Sequence, residues 1–162
     1  MTDTSHSAVN GFVQHDHTHC VSDALSRADA LCAERKVQFT PVRRRVLEIL
    51  LETHKALGAY EVLERLAAEG LGSKPPVAYR ALSFLVEQGF AHRIEGLNAF
   101  VACTHPEQDH APAFMICRSC NKVTEASGTG DSSFGSIATE TGFVIEQTVI
   151  EAQGLCPNCV EA

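Results

Sequence analysis

Two Cys-x-x-Cys pairs near the carboxyl end constrain this chain more than any other feature of its sequence. Cys117 and Cys120 form the first pair, and Cys156 and Cys159 form the second after 35 intervening residues. Two thiolates three residues apart can reach one metal ion from a tight turn, and two such turns make a closed tetrahedral zinc site. The sequence therefore predicts a structural zinc ion that joins two distant segments. Such sites occur on many unrelated folds, so this prediction alone does not indicate a function.

The cysteine count also indicates a reducing compartment. The chain has 162 residues and seven cysteines, an odd number of which four stand in metal spacing. These facts fit a cytosolic protein better than a disulfide scaffold. The N-terminus lacks a basic segment followed by an apolar run, and no stretch reaches the length of a membrane span. We therefore expect a cytoplasmic protein of one ordinary domain or two small ones, without a signal peptide.

The charge is distributed unevenly along the chain, whose net charge is −7. Residues 1–23 carry three acidic residues and no lysine or arginine, a net of −3. Residues 24–96 carry 11 basic and 9 acidic residues, a net of +2, and residues 97–162 carry 2 basic and 8 acidic residues, a net of −6. Locally placed positive charge lets an acidic chain bind DNA. On charge alone, a solvated surface explains the asymmetry as well.

The apolar periodicity predicts four helices followed by a β-hairpin. The helices span 22–34 with Ser22 as the cap, 41–51 with Thr40 as the cap, 60–69, and 75–88. The strands span 90–94 and 99–102 around the turn at 95–98. The inner faces are Leu25, Ala28, Leu31 and Cys32 of the first helix, Val42, Val46, Ile49 and Leu50 of the second, and Ala78, Leu82, Leu85 and Val86 of the fourth.

This order of elements predicts a winged helix-turn-helix domain, in which the fourth helix reads DNA. Its outward residues near the N-terminus are Lys74, Tyr79, Arg80 and Ser83. An arginine at this place can reach O6 and N7 of guanine in the major groove, and Arg93 of the hairpin can lie along the adjacent backbone. Periodicity alone leaves an ordinary helical bundle with an exposed arginine as an open alternative.

The character of the sequence changes after Cys103. Strands are predicted at 114–116, 122–125 and 143–150, with a helix at 132–141 between the last two. The predicted fold class is therefore α+β, a winged helix followed by a small α/β unit. The expected divisions are a tail at 1–21, a DNA-binding domain at 22–94, a hinge at 95–103 and a metal-binding domain at 104–162.

A second group of candidate metal ligands is spread across this hinge. It consists of His92, Cys103, His110 and Glu125. Two imidazoles, one thiolate and one carboxylate suit tetrahedral zinc, and the sulfur ligand disfavours manganese and magnesium. No two of these residues stand at a short motif spacing, so ordinary surface or core roles remain open for each.

The N-terminal tail carries a third cluster, His15, His17, His19 and Cys20. Alternating histidines in a tail can bind zinc, nickel or copper weakly, and a solvated tail explains them equally well.

Several motifs occur together in this chain. They are Thr40-Pro41-Val42-Arg43, Ala59-Tyr60-Glu61-Val62-Leu63, Lys74-Pro75-Pro76-Val77-Ala78-Tyr79-Arg80-Ala81-Leu82, and the two Cys-x-x-Cys pairs. Together they resemble the ferric uptake regulator family, and within it the zinc uptake regulator branch. The resemblance covers roughly residues 24–160.

The resemblance implies a homodimeric, zinc-responsive transcriptional repressor that binds palindromic operator DNA and controls zinc-uptake genes. The C-terminal unit is then the dimerisation domain. The alternative is a sensor of iron, manganese, nickel or peroxide within the same family. Catalysis is not expected, because both predicted zinc sites already have four protein ligands and leave no position for water.

The resemblance also assigns the residues, with two zinc ions per protomer. The structural zinc ligands are Cys117, Cys120, Cys156 and Cys159, and the regulatory zinc ligands are His92, Cys103, His110 and Glu125. The DNA-reading residues are Tyr79 and Arg80, with Arg43 near the DNA backbone. Two departures stand out. Val77-Ala78 replaces the usual Thr-Val, which removes a hydroxyl that could contact phosphate. The loop before His110 is about one residue short, so His105 is a rival ligand.

Overall fold

The computed structural model of the chain describes residues 12, 17–107, 113–126 and 134–161. These residues divide into two compact units, an N-terminal unit of residues 17–107 and a C-terminal unit of residues 113–126 and 134–161, to which residue 12 also belongs. The helices are α1 (His17–Arg35), α2 (Pro41–Leu51), α3 (Ala59–Ala68), α4 (Pro75–Glu87), α5 (Phe134–Thr141) and α6 (Pro157–Val160). The strands are β1 (Ala91–Ile94), β2 (Ala99–Ala102), β3 (Ala113–Cys117), β4 (Val123–Glu125) and β5 (Ile150–Gly154). No helix among the described residues is both long and apolar enough to cross a membrane.

The start of α2 follows from its local sequence. Thr40 has an extended backbone, and its hydroxyl accepts a hydrogen bond from the Arg43 N–H at 3.4 Å. Pro41 occupies the first helical position, where its missing N–H would have no partner within the helix. The predicted cap and both predicted ends of α2 are confirmed.

The start of α1 differs from the prediction. The helix begins at His17, so the prediction that Ser22 caps it is wrong. Val21 packs against the core one turn before Leu25, and it extends the buried stripe formed by Leu25, Ala28 and Cys32. This tertiary packing outweighs the local capping preference of serine.

The core of the N-terminal unit is formed by α1 to α4 and the hairpin. The predicted inner faces are confirmed with one exception, Val86, which is 38% exposed. Phe84 is buried instead, because the apolar face of α4 is rotated toward Ala81 and Phe84. Leu47 is a further buried residue of α2 that the periodicity did not single out.

The hairpin after α4 is confirmed. Strands β1 and β2 pair in antiparallel register, with His92 opposite Val101. The turn between them is a 3₁₀ turn that ends at Asn98, whose φ of 47° lies in the left-handed region. An antiparallel bridge from Leu57 to Phe100 ties β2 to the loop before α3. The helices and this hairpin make the predicted winged helix-turn-helix, and residues 95–103 include its second strand.

The C-terminal unit contains a three-stranded sheet in the order β4-β3-β5. Strand β3 pairs antiparallel with β4 and parallel with β5. The predicted helix at 132–141 is present as α5, and its first two predicted positions lie outside the described residues. A short helix, α6, begins at Pro157 and was not predicted.

The predicted strand at 143–150 is wrong. The residues at 143–149 have no regular structure, and β5 begins only at Ile150. Phe143 and Val144 supplied the strand signal, yet they are 69% and 79% exposed. The residues Ile150–Gly154 form the strand because β3 offers a parallel pairing partner, which is information that local propensity does not contain.

Arg45 joins α2 to α3 through several carboxylates. Its guanidinium contacts Glu48 at 2.8 Å, Glu52 at 2.7 Å and Glu69 at 2.7 Å. The hydrogen bond with Glu69, followed by those with Glu52 and Glu48, raises the pKa of Arg45 further above its ordinary value. The same contact lowers the pKa of Glu69.

Replacing Arg45 with Met is expected to destabilise the N-terminal unit by about 1–2 kcal/mol, because three neighbouring carboxylates lose their shared cation. Urea unfolding followed by circular dichroism measures this loss, and added salt should reduce it. Arg44→Met is the matched control. Arg44 pairs with Asp29 at the exposed surface, so its loss should cost only a few tenths of a kcal/mol. Equal losses in the two variants would contradict the assigned role of Arg45.

Candidate metal centres and nucleic-acid interface

The four cysteines of the two Cys-x-x-Cys pairs lie together in the C-terminal unit. Their sulfur atoms are all within 4.8 Å of one another, with Cys117 and Cys156 buried and Cys120 and Cys159 half-buried. The parallel pairing of β3 and β5 explains the convergence, because the carboxyl ends of parallel strands meet at one edge of a sheet. Cys117 ends β3 opposite Gly154, and Cys156 follows two residues after the end of β5.

The turns that present the sulfur atoms are fixed by backbone hydrogen bonds. The Cys117 N–H donates to the Lys122 carbonyl at 2.9 Å, and the Asn121 N–H donates to the Cys117 carbonyl at 2.9 Å. Asn121 takes a φ of 58°, which lets the chain reverse between β3 and β4. In the second pair, the Cys159 N–H donates to the Cys156 carbonyl at 2.9 Å. Each pair is therefore a tight turn with both thiols on one side.

The sulfur separation fits a zinc ion. The Sγ atoms of Cys120 and Cys156 are 3.8 Å apart. A tetrahedral zinc ion with Zn–S bonds of about 2.3 Å places its sulfur ligands about 3.8 Å apart. This distance is far longer than the bond of about 2.05 Å in a disulfide. The donor set and its spacing therefore support the predicted structural zinc site.

The electrostatics of the cluster also favour a cation. The backbone N–H of Cys156 donates to Cys117 Sγ at 3.3 Å, and with the N–H of Cys120 it lowers the pKa of the Cys117 thiol to about 6. By contrast, a side-chain hydrogen bond with Cys156 raises the pKa of Cys159 to about 12. One thiolate is stabilised by the backbone, while deprotonation of all four needs the positive charge that zinc supplies when bound.

Two of the predicted regulatory ligands come together on the hairpin of the N-terminal unit. A ring nitrogen of His92 and the sulfur of Cys103 lie within 4.8 Å of each other. His92 is on β1, and Cys103 directly follows β2. The Cys103 N–H donates to the Phe90 carbonyl at 2.8 Å, which continues the hairpin pairing by one more residue. Cys103 is buried, and the Nε2 atom of His92 is buried as well.

The other two predicted regulatory ligands belong to the C-terminal part of the chain. Glu125 is half-buried at the end of β4, opposite Phe114 of β3. His110 lies outside the described residues. His105, the rival ligand, has an exposed side chain, and its backbone N–H donates to Cys103 Sγ at 3.3 Å. The assignment of all four ligands therefore remains a prediction.

The predicted DNA-reading residues lie on the exposed side of α4. The exposed residues are Lys74, Tyr79, Arg80 and Ser83. Lys74 has an extended backbone at the N-cap, and Pro75 occupies the first helical position. The opposite side of the helix is buried by Ala78, Leu82 and Leu85. The N-terminal half of α4 thus presents a cationic polar surface that suits DNA.

The loop before α4 fixes where this surface begins. Gly72 has a φ of 142°, which L side chains rarely adopt. An added Cβ there would stand 2.8 Å from Cγ1 of Val77, so glycine is required for close approach. Val77 thus supports the loop, although it has no hydroxyl with which to contact phosphate.

The run of three arginines on α2 is engaged within the protein, which its charge alone did not indicate. Arg44 pairs with Asp29, and Arg45 pairs with several carboxylates. The guanidinium carbon of Arg43 lies 3.8 Å from the ring centroid of Phe84, beneath α4. Arg43 also donates to the Gln38 carbonyl. Arg44 and Arg45 are therefore engaged with carboxylates, whereas the role of Arg43 near the DNA backbone stays a prediction.

Tyr60 is an exposed residue that sequence reasoning did not single out as a site. It lies in the first turn of α3 and is 65% exposed. The buried residues of α3 are Ala59, Val62, Leu63 and Leu66. The sequence could have predicted the exposure of Tyr60, because the helical spacing of these buried residues leaves Tyr60 outside their face of α3.

Comparison with known proteins agrees with the metal centres and the DNA-binding surface that this geometry indicates. The sequence profile of the ferric uptake regulator family matches residues 34–152. The chain belongs to this family. It is 40% identical over 141 residues to the zinc uptake regulation protein of Escherichia coli (strain K12), and the match covers 86% of this chain and 82% of that protein. The Shigella flexneri protein of the same name gives the same values.

Solved structures of similar proteins agree with the fold. A zinc uptake regulator complexed with zinc and DNA has a TM-score of 0.83 and 39% identity, covering 87% of this chain and 95% of that chain. The holo form of XcZur has a TM-score of 0.75 and 34% identity, covering 86% of this chain and 99% of that chain. Members of the family are transcriptional regulators, so the winged helix is interpreted as a DNA-binding domain.

Proposed function

We propose that this chain is a zinc-responsive transcriptional regulator of zinc uptake. In this proposal it acts in the cytoplasm, without catalytic activity, as a zinc-loaded homodimer that binds palindromic operator DNA and represses zinc-uptake genes. The observation that carries the proposal is the pairing of His92 with Cys103 on the hairpin that directly follows α4. The similarity to zinc uptake regulators over most of the chain supports it.

Two zinc ions per protomer have separate roles in this proposal. The ion held by Cys117, Cys120, Cys156 and Cys159 is structural, because four sulfur ligands close the coordination sphere. The second is regulatory, with His92, Cys103, His110 and Glu125 as its ligands. An imidazole and a thiolate already placed on the hairpin suit zinc better than manganese or magnesium.

The regulatory site couples zinc to DNA through the conformation it favours. Its ligands come from the hairpin and from the C-terminal part of the sequence, so a bound ion stabilises the conformation in which all four converge. Where that conformation spaces two α4 helices to match a palindrome, zinc and operator binding reinforce each other. The coupling is reciprocal, so operator DNA raises zinc affinity by the same factor.

The C-terminal unit offers an apolar surface for the homodimer. Its exposed apolar residues include Phe134, Ile137, Phe143, Val144 and Ile145. Phe134, Ile137, Phe143 and Ile145 line one shared groove, and an exposed apolar surface of this kind marks a protein interface. A second copy of the chain is the proposed occupant, since a palindromic operator requires two-fold symmetry.

Metal-dependent selection of DNA tests the proposed function. Zinc-loaded protein is used to select duplexes from a random pool, and a selected duplex is then titrated with protein at buffered free zinc and fixed salt. We expect tight binding only with zinc, a palindromic consensus, and a dimer by sedimentation. Parallel titrations use iron, manganese, nickel and peroxide. If one of those promotes duplex binding more strongly than zinc does, it is the signal in place of zinc.

Arg80 carries a prediction of its own. Replacing Arg80 with Ala is expected to weaken binding to the selected duplex by about 1–3 kcal/mol, because a bidentate contact to guanine is lost. Fluorescence anisotropy with single-base variants of the duplex measures this. Arg27→Ala removes an exposed charge from α1 and serves as the control. Equal weakening on all sequences would assign Arg80 to a phosphate contact instead.

A further inference from the structure

The turn after α4 is the shortest covalent connection between the reading helix and the two hairpin ligands. Helix α4 ends at Glu87, and Gly89 takes a φ of 76° so that the chain reverses. The Phe90 N–H donates back to the Leu85 carbonyl at 2.8 Å, while the Phe90 carbonyl accepts from the Cys103 N–H at 2.8 Å. One residue is therefore bonded to α4 on one side and to a predicted ligand on the other.

Arg35 holds this turn from α1. Its Nη1 atom donates to the Gln88 carbonyl at 2.6 Å and to Gln88 Oε1 at 3.3 Å. Its guanidinium carbon lies 5.6 Å from the ring centroid of Phe90. A cation at this place interacts favourably with the carbonyl end of α4 and with the aromatic ring.

Arg35 is itself attached to a rigid part of the fold. It is the last residue of α1, whose buried stripe includes Ala28 and Cys32. Two residues after it, the Val37 N–H donates to the Cys32 carbonyl at 3.0 Å, which closes the helix end. Phe39 also packs against Phe90, and their ring centroids are 6.2 Å apart.

We propose that Arg35 is a positioning residue for the regulatory metal site. It fixes the turn at Gln88 and Phe90, so that the hairpin ligands His92 and Cys103 are placed in register with α4 before zinc binds. This inference rests on the proposed function, and it adds a residue outside the ligand set. Without Arg35, part of the binding free energy of zinc is used to order the turn, so the protein needs more free zinc to reach the DNA-binding state.

The test compares Arg35→Met with Arg35→Lys, Gln88→Ala and Arg27→Met. Methionine keeps an apolar stem but removes the charge and both hydrogen bonds to Gln88, and we expect the free zinc at half-maximal operator binding to rise about fivefold. Lysine keeps a charge without the planar fork and should give an intermediate value. Gln88→Ala leaves the backbone acceptor in place, and Arg27→Met removes an exposed charge from the same helix. Both should match the unchanged protein.

A second measurement is independent of DNA binding. Amide hydrogen exchange of Cys103 is recorded in protein that retains only the structural zinc, and Arg35→Met is expected to speed it while the melting temperature of the N-terminal unit stays nearly unchanged. The proposal would be overturned if the free zinc at half-maximal operator binding were unchanged in both Arg35 variants. If Arg35→Met does not fold, the midpoint of Arg35→Lys decides alone. If the unsubstituted protein shows no zinc response, the proposed function fails, and the exchange of Cys103 still decides whether Arg35 holds the turn.

Discussion

Replacing Cys117 with Ser is expected to remove the structural zinc ion and to unfold the C-terminal unit, while the N-terminal unit remains folded. Among the described residues of the C-terminal unit, few side chains besides the cysteines are buried, chiefly Phe114, Ile116 and Val123. A unit with so small a core depends on its metal. Structural zinc contributes about 10–16 kcal/mol in small zinc domains, which exceeds the whole stability of an ordinary domain of this size.

Metal analysis and amide exchange measure the two parts of this prediction. The tightly held zinc should fall by one ion per chain, and protection of the β3 and β5 amides should be lost. Protection in α2 to α4 should remain, because their core lies within the N-terminal unit. Cys20→Ser is the matched control, since Cys20 is an exposed thiol on α1. Retention of both the zinc and the sheet protection in Cys117→Ser would contradict the structural assignment.

The lowered pKa of Cys117 predicts the pH range in which the site should weaken. Its value in the folded protein, about 6, is below that of an ordinary thiol. The folded state therefore favours the thiolate, and this contribution to stability is present above the ordinary thiol pKa and is lost as the pH falls through about 6. Zinc binding needs the thiolates as well, so removal of zinc by a chelator should become faster over the same fall in pH.

Replacing Cys103 with Ser is expected to abolish the zinc response while leaving the structural zinc in place. The operator affinity at saturating zinc should fall to that of chelator-treated protein, a loss of about 5–150-fold. Serine keeps the size of the side chain but removes the soft thiolate that favours zinc. His92→Ala should give the same loss, because the His92 ring and the Cys103 sulfur lie within 4.8 Å of each other.

Anisotropy titrations against buffered free zinc measure this response, with metal analysis on the same samples. Cys32→Ala is the control. Cys32 is a buried thiol whose pKa is raised by burial, so its loss should lower stability slightly without changing the zinc midpoint. An unchanged midpoint in Cys103→Ser would show that the regulatory site is misassigned. Loss of the response in His105→Ala but not in His110→Ala would identify His105 as the ligand.

Much of the N-terminal unit could be predicted because its signals are local. The Thr40 cap and Pro41 fix the start of α2, and the spacing of apolar residues identifies the buried faces. The predictions failed where tertiary packing outweighed local preference. Helix α1 begins before Ser22 because Val21 packs against the core, and Val86 is exposed because Phe84 occupies the buried face of α4. The arginine run was visible in the sequence, but two of its acidic partners come from distant segments, Asp29 of α1 for Arg44 and Glu69 after α3 for Arg45.

The sequence is sufficient to single out the four candidate sulfur ligands, because a Cys-x-x-Cys turn presents both thiols to one ion whatever fold surrounds it. It also determined the cationic surface of α4, because helical periodicity separates exposed from buried positions. The segment that pairs with β3 is known only from the three-dimensional structure. It is Ile150–Gly154, not the apolar residues at 143–149, and this pairing places Cys156 beside Cys117. Strand pairing depends on partners distant in sequence, and no local pattern encodes which segment a neighbouring strand will accept.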